Sequence, residues 1–288
     1  MNPSIGTVAA VSIEVRVDRD TVLPGRVWCA DRPRALVALV HGLGEHSGRY
    51  SALASELARS RFTCVALDLP GHGETAGARG DIPSWTKLRD HIVPAMFTAT
   101  RGLPDQPSEL PCVLLGHSMG GVIALDHALS HPRGLVALVL SAPALRTAMP
   151  PWWKLALANA ARITTPAAGF PNALDTDGLA RDPEVVRAYR TDPLVHDRIS
   201  PRTYFALNEA AQRCSRDIRN LQVPTLMLQG MADRLVDPKG ALAAAGTAPH
   251  DMMRFLTLSD AYHEVFNDTG REAVIRDLVA WLDVALVA

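Results

Sequence analysis

The sequence predicts an α/β domain: a mostly parallel sheet with helices on both faces, interrupted by one long helical insertion. Three observations predict it. Short apolar runs recur along the chain, and the clearest are continuous rather than alternating, as strands buried on both faces must be. Helix-patterned segments lie between them, the order that a parallel sheet with crossover helices requires. From about Leu145 to Gln222 this rhythm stops. Helical segments broken by prolines and glycines fill that stretch, too long for a single crossover.

The opening "VSIEVRVD" and "GRVWCAD" read as an antiparallel hairpin at the sheet edge. "ALVALVHG" (Ala35 to Gly42) and "FTCVALDLPG" (Phe62 to Gly71) are buried strands, with a helix from Tyr50 to Ser60 between them. "PCVLLGHS" (Pro111 to Ser118) is the next strand. The helix after it, "GGVIALDHALSHP", is stopped by Pro132. "LVALVLSAP" (Leu135 to Pro143), "PTLMLQG" (Pro224 to Gly230) and the weaker "MRFLTLSDA" (Met253 to Ala261) complete the set. An amphipathic helix runs from Thr269 to Val287. The expected division is a core of residues 1–144 and 223–288 and a helical lid of residues 145–222.

Composition narrows the classes. With 29 basic and 30 acidic residues the net charge is −1, and no basic arm or patch stands out, so nucleic acid is not an expected partner. The N-terminus lacks a basic start and a sustained apolar stretch, so no signal peptide is expected. No apolar run is long enough to span a bilayer. The four cysteines show no CxxC spacing and read as free thiols in a reducing cytoplasm. No metal-ligand cluster is visible, and the chemistry below requires neither metal nor cofactor.

"LLGHSMGGVI" (Leu114 to Ile123) clamps a serine between small residues at the end of a strand. Gly116-His117-Ser118-Met119-Gly120 fits G-x-S-x-G, in the strand-to-helix context that the motif needs. A sharp turn there strains the central residue and leaves no room for flanking side chains. The helix beginning at Met119 aims its N-terminal N–H groups at the same spot, where negative charge is favoured. Read plainly, the pentapeptide could also be a helix N-cap after a glycine turn.

A serine hydroxyl needs a base, and the base an orienting acid. In this architecture the chain order is serine, acid, histidine. Asp233 follows the strand ending at Gln229, and His263 follows the last strand. Asp237 is the rival acid, a turn further on. His250 is the rival base but precedes the last strand. The two oxyanion donors expected are the amides of Met119 and of Leu43, in the loop "HGLGEHSGRY". His41 is expected to brace that loop by hydrogen bonds.

With these residues in view, the sequence resembles the monoacylglycerol lipases and their lysophospholipase-like bacterial relatives among the α/β-hydrolases. The resemblance runs from about Ala35 to the C-terminus and is weakest in the lid. It rests on "HGLGEHSGRY", "DLPGHGETAGARG", "GHSMGG", "YRTDPLVHDRIS", "LMLQGMADRLVDPKG" and "YHEVFND". It implies a mostly parallel eight-stranded sheet, with nucleophile Ser118, acid Asp233, base His263, and oxyanion amides at Leu43 and Met119. It also implies a polar pocket for a glycerol head group at Glu45, Arg49, His117 and Tyr189. Thr75 stands where such relatives carry Ser, which keeps the hydroxyl. Glu45 and Arg49 also read as a local ion pair, and Tyr189 as a lid-packing aromatic.

"MPPWWKLALANAARI" (Met149 to Ile163) opens the insertion. Trp152, Trp153, Leu155, Leu157 and Ile163 make it apolar nearly all round, with Lys154 and Arg162 near its ends. Such a helix lines an acyl pocket, packs on the core or lies on a bilayer surface. The expected activity is hydrolysis of a monoacylglycerol or similar single-chain lipid ester by a cytoplasmic enzyme touching membranes through its lid. Lysophospholipase or general carboxylesterase activity is the nearest alternative. A non-catalytic binding module of the same fold is the alternative from another class.

Overall fold

The computed structural model describes residues 7–107, 109–147 and 151–287. The strands are β1 (Val11–Arg16), β2 (Val22–Trp28), β3 (Ala35–Val40), β4 (Phe62–Leu67), β5 (Cys112–His117), β6 (Leu135–Ser141), β7 (Phe170–Pro171), β8 (Arg198–Ile199), β9 (Thr225–Gly230) and β10 (Met253–Leu258). Eight of them form one sheet in the order β1-β2-β4-β3-β5-β6-β9-β10. The expected hairpin pairs β1 antiparallel to β2, with Val15 opposite Leu23, and β2 runs antiparallel to β4. From β4 to β10 every pairing is parallel. The expected mostly parallel eight-stranded sheet is therefore present.

The continuous apolar runs are explained by burial on both faces. Along β3, Leu36, Ala38 and Val40 enter one core, and Ala35, Val37 and Leu39 enter the other. The helices are α1 (Ser51–Arg59), α2 (Trp85–Lys87), α3 (Val93–Met96), α4 (Met119–Ser130), α5 (Trp152–Thr164), α6 (Pro183–Thr191), α7 (Pro201–Asp217), α8 (Pro238–Thr247) and α9 (Arg271–Ala285). A π-helical turn, Leu88–Ile92, joins α2 to α3. Leu53, Leu57, Leu278 and Leu282, from α1 and α9, close one core. Trp85, Leu88, Val122, Leu125 and Cys214, from α2, the π turn, α4 and α7, close the other. Each such fully buried aliphatic contributes roughly 1.5–3 kcal/mol.

Between β6 and β9 the chain forms α5, β7, α6, β8 and α7. The last helix of this insertion is firmly seated. Leu207, Ala210 and Cys214 join the core, and Arg213 pairs with buried Asp126 of α4 at 2.7 Å. One feature departs from an all-helical lid: Phe170 and Pro171 pair antiparallel with Ile199 and Arg198. Two residues per strand are too few to show a period, so the sequence carries no strand signal there. In α5 none of the residues is buried, and Trp152 and Trp153 are 81% and 48% exposed. They do not pack on the core. Met149 and Pro150, read as part of this helix, lie outside the described residues.

Candidate active site

β5 ends at His117 and α4 begins at Met119, which leaves Ser118 alone at the bend. Its backbone sits at φ 54°, ψ −117°. That is a costly conformation for a residue with a Cβ, and it persists because the neighbours hold it. Ser118 N–H donates to Ser141 O at 3.0 Å, and Ser118 O accepts from Gly121 and Ala144, each at 3.0 Å. The flanking glycines are required by contact. A Cβ on Gly116 would fall 2.2 Å from Gly120 O, and one on Gly120 would fall 2.1 Å from Val40 O. The motif is thus a strained elbow rather than a simple cap.

Asp233 lies in the turn after β9. One carboxylate oxygen, Oδ1, accepts the N–H groups of Leu235 (2.8 Å) and Val236 (3.0 Å). The other, Oδ2, accepts from Gln229 Nε2 at 3.1 Å and from His263 Nδ1 at 2.8 Å. The carboxylate is therefore fixed in plane and aimed at one imidazole. The rivals are elsewhere: Asp237 caps α8 and pairs with Arg146 at 2.9 Å, and His250 is exposed before β10. The His263 loop is anchored to the insertion, since Glu264 N–H donates to Leu179 O at 2.8 Å. Burial alone would push the His263 imidazole down. The hydrogen bond and charge of Asp233, then the charges of Glu264 and Glu45, overcome this and hold it above its ordinary value.

Ser118, His263, Leu43, Met119, Glu45, His117 and Tyr189 all line one cavity of about 320 Å³. As the first residue of α4, Met119 has an N–H without an intrahelical acceptor. The loop bearing Leu43 is braced by Glu45, whose Oε1 accepts Gly42 N–H and the Tyr50 hydroxyl, each at 2.6 Å. His41 braces it as expected: Nε2 accepts Leu69 N–H at 3.0 Å, and Nδ1 lies 2.8 Å from Gly42 O. Thr75 keeps the role of a hydroxyl, donating to Asp68 O at 2.6 Å.

The four residues expected around a head group differ in their surroundings. Glu45 is 4% exposed, yet the Arg49 guanidinium, His117 and His41 overcome the penalty of burial and hold its carboxyl at about 2. Burial, and then the neighbouring His263, push His117 down to about 4. Its Nδ1 lies 3.0 Å from Ser141 Oγ, and its ring lies 4.7 Å from that of His263. Tyr189 packs over Arg49, and its side chain also borders the cavity. Arg49 is different. It is absent from the cavity wall, its side chain is 8% exposed, and its guanidinium is held by Glu45 and Glu264. The ion-pair reading of Arg49 describes its position, and a place in a substrate pocket does not.

The sequence reading missed Glu264, Asn172, Asn208 and Arg234 in the same wall. Glu264 had a signal, since it directly follows His263 in "YHEVFND". Arg234 had one too, since it directly follows Asp233, whereas Asn172 and Asn208 come from insertion segments with no period to locate them. A second cavity of about 400 Å³ adjoins the first, sharing Ala173, Ile199 and Tyr204, and is bordered by Leu155, Leu157 and Phe170. Among the described residues, no three His, Cys, Asp or Glu side chains gather as metal ligands would. A fixed acid–imidazole pair lining one cavity with a half-buried serine, next to a free helix N-terminus, can carry out acyl transfer.

Known proteins are similar to this chain. The chain is 33% identical over 261 residues to the monoacylglycerol lipase of Mycolicibacterium smegmatis, covering 89% of this chain and 91% of that one. It is 32% identical over 261 residues to phospholipase YtpA of Bacillus subtilis, covering 89% and 98%. The crystal structure of the Paleococcus ferrophilus monoacylglycerol lipase superposes with a TM-score of 0.82 at 32% identity, over 91% of this chain and 99% of that one. Residues 31–270 match one family as a block, from the first parallel strand through the insertion to the loop beyond His263. The chain therefore belongs to Hydrolase_4, the serine aminopeptidase S33 family of α/β-hydrolases.

Proposed function

We propose that this protein hydrolyses the ester bond of monoacylglycerols to glycerol and a free fatty acid, with Ser118 as nucleophile, His263 as base and Asp233 as orienting acid. The observation that carries the reading is the Asp233–His263 pair, whose imidazole lines one cavity with Ser118 on its strained elbow. His263 takes the Ser118 proton as the hydroxyl attacks the ester carbonyl. The amides of Leu43 and Met119 hold the oxyanion, each donor contributing roughly 10²–10³ in turnover. His263 then protonates the departing glycerol, and a water that it activates releases the fatty acid. Glu45, His117 and Tyr189 form the polar end for the alcohol, and the adjoining apolar cavity beneath α5 receives the acyl chain.

The family's peptidase description fits the cavity less well. An amino terminus needs an unpaired carboxylate. Here Glu45 and Glu264 are paired with Arg49, and Asp175 lies 3.3 Å from Arg234. A phospholipase reading has one observation in its favour, the similarity to the Bacillus subtilis protein. The reading adds a site of action in the cytoplasm with transient docking on lipid. Among the described residues no helix is long and apolar enough to cross a membrane. Trp152, Trp153, Leu157 and Ile163 nevertheless give α5 a wet apolar surface, with Lys154 and Arg162 beside it.

The deciding experiment measures fatty acid release from a monoacylglycerol and from the matching lysophosphatidylcholine, with purified protein and its Ser118→Ala variant. Fast release from the first lipid, slow release from the second and none with the variant is the expected result. Equal rates on both would make the protein a general lipid esterase. Failure of a fluorophosphonate probe to label Ser118 would make it a binding module instead.

A further inference from the structure

Three charged side chains lie buried side by side next to the base. Glu45 and Glu264 are each 4% exposed, and the Arg49 side chain is 8% exposed. Taking three charges out of water is expensive, and they stay only when geometry and hydrogen bonds compensate. Both conditions hold. Arg49 Nη1 and Nη2 donate to the two oxygens of Glu264 at 2.6 and 2.9 Å, and Nη1 also donates to Glu45 Oε2 at 2.9 Å. The far oxygen of Glu45 holds Gly42 N–H and Tyr50. Glu264 Oε2 also accepts from Asn267 Nδ2 at 2.9 Å. The Tyr189 ring, 4.6 Å from the guanidinium carbon, covers the group from the insertion.

Followed along the chain, these bonds connect two separate parts of the site. Gly42 precedes Leu43, whose amide is the proposed oxyanion donor. Glu264 follows His263. We propose that Arg49 is a positioning residue: through Glu45 and Glu264 it fixes the oxyanion loop and the His263 loop at one spacing, without touching substrate. This rests on the reading of Ser118 and His263 given above. Arginine suits the task because its planar fork meets two carboxylates at once, which a lysine ammonium cannot do with the same geometry.

The bridge also sets the charge around the base. Around His263 stand Asp233, its own neighbour Glu264, Glu45 of the oxyanion loop and His117 of β5, with Tyr189 and Arg234 on the same cavity wall, and Arg49 and Tyr50 behind the two glutamates. Glu264→Gln removes a negative charge and moves the acid limb of kcat/KM to lower pH. Arg49→Gln leaves two uncompensated carboxylates and moves the limb to higher pH. Each shift should be about half a pH unit or more. The double variant restores the charge balance and returns the limb toward wild type.

The test measures kcat, KM and pH profiles on a monoacylglycerol and on p-nitrophenyl butyrate, whose leaving group has no glycerol. The expected result is a loss of roughly 10–100-fold in kcat on both esters, with limbs moving in opposite directions for the two variants. A loss confined to the monoacylglycerol would overturn the proposal, because Arg49 would then be binding the head group. An equal loss with unmoved limbs would also overturn it, leaving only structural support. If Arg49→Gln does not fold, Glu264→Gln alone must move the limb downward, and an unmoved limb refutes the bridge. Ser118→Ala keeps the two readings apart: if it still cleaves p-nitrophenyl butyrate, the catalytic assignment fails rather than the bridge.

Discussion

His263 Nδ1 lies 2.8 Å from Asp233 Oδ2, and both side chains are closed off from solvent, at 4% and 0% exposure. The pairing fixes the imidazole tautomer, leaving Nε2 free to accept a proton. It also holds the His263 imidazole above its ordinary 6.5, against the downward push of burial. Activity needs the neutral ring. The acid limb of kcat/KM should therefore have its midpoint above pH 6.5 and fall away below it. Asp233→Asn removes the charge that sustains this and should lower kcat near neutrality by roughly 10³–10⁴-fold. Stopped-flow rates across a pH series check both statements, and a limb centred below 6.5 in the wild type would contradict the first.

The elbow predicts a stability effect at a glycine that contributes no side chain to the chemistry. A Cβ at Gly120 meets Val40 O at 2.1 Å and His41 O at 2.5 Å, both backbone atoms that cannot rotate away. Gly120→Ala must push α4 off β3 and should destabilise the fold by roughly 1–3 kcal/mol. Urea denaturation measures this. An unchanged midpoint would mean that the close approach of α4 to β3 is not as described.

What could be read in advance follows from the range of each interaction. The elbow at Gly116–Gly120 was legible because its causes are local: a continuous apolar run, a serine between glycines, then a helix pattern. Asp233 and His263 were legible because each follows a strand by a few residues. The Glu45 partner of Arg49 was legible because it too is local; the second was not, because Glu264 lies 215 residues away and they meet only where two loops converge. Exposure of Trp152 and Trp153 was equally out of reach. An all-apolar helix has the same composition whether it faces a core, a cavity or water.

A cluster of neutral histidines where the insertion meets the core predicts acid sensitivity. His41, His72 and His196 pack as tilted rings with centroids 5.3 and 4.9 Å apart. His196 Nε2 donates to Gly71 O at 3.1 Å while its Nδ1 accepts Arg198 N–H at 3.2 Å, a pattern that only the neutral ring satisfies. Burial, then the charge of Arg79, hold it down at about 4, and burial holds His72 well below its ordinary value. Between about 4 and 6.5 the unfolded chain therefore binds more protons, so stability is full above 6.5 and is lost as pH falls toward 4. His196→Gln removes one of these protonations. Its melting temperature should fall less between about pH 7 and about pH 5 than that of the wild type. Identical pH slopes in the two proteins would rule the cluster out as a source of acid sensitivity.

The exposed face of α5 gives a prediction in which binding and chemistry come apart. Trp152 is 81% exposed and Ile163 77%, so their removal costs the fold little, within about 0.5 kcal/mol. Neither Trp152 nor Trp153 lines the cavity that holds Ser118 or the one adjoining it. Trp152→Ala with Trp153→Ala should therefore leave the melting temperature and the rate on a soluble short-chain ester unchanged. Sedimentation with anionic phospholipid vesicles should show binding by the wild type, at least several-fold weaker in the double variant, because interfacial tryptophans contribute through buried apolar area. Hydrolysis of vesicle-borne monoacylglycerol should drop by the same factor. If binding persists undiminished, α5 is not the docking surface. If binding drops while vesicle-borne hydrolysis does not, docking is real but does not deliver substrate.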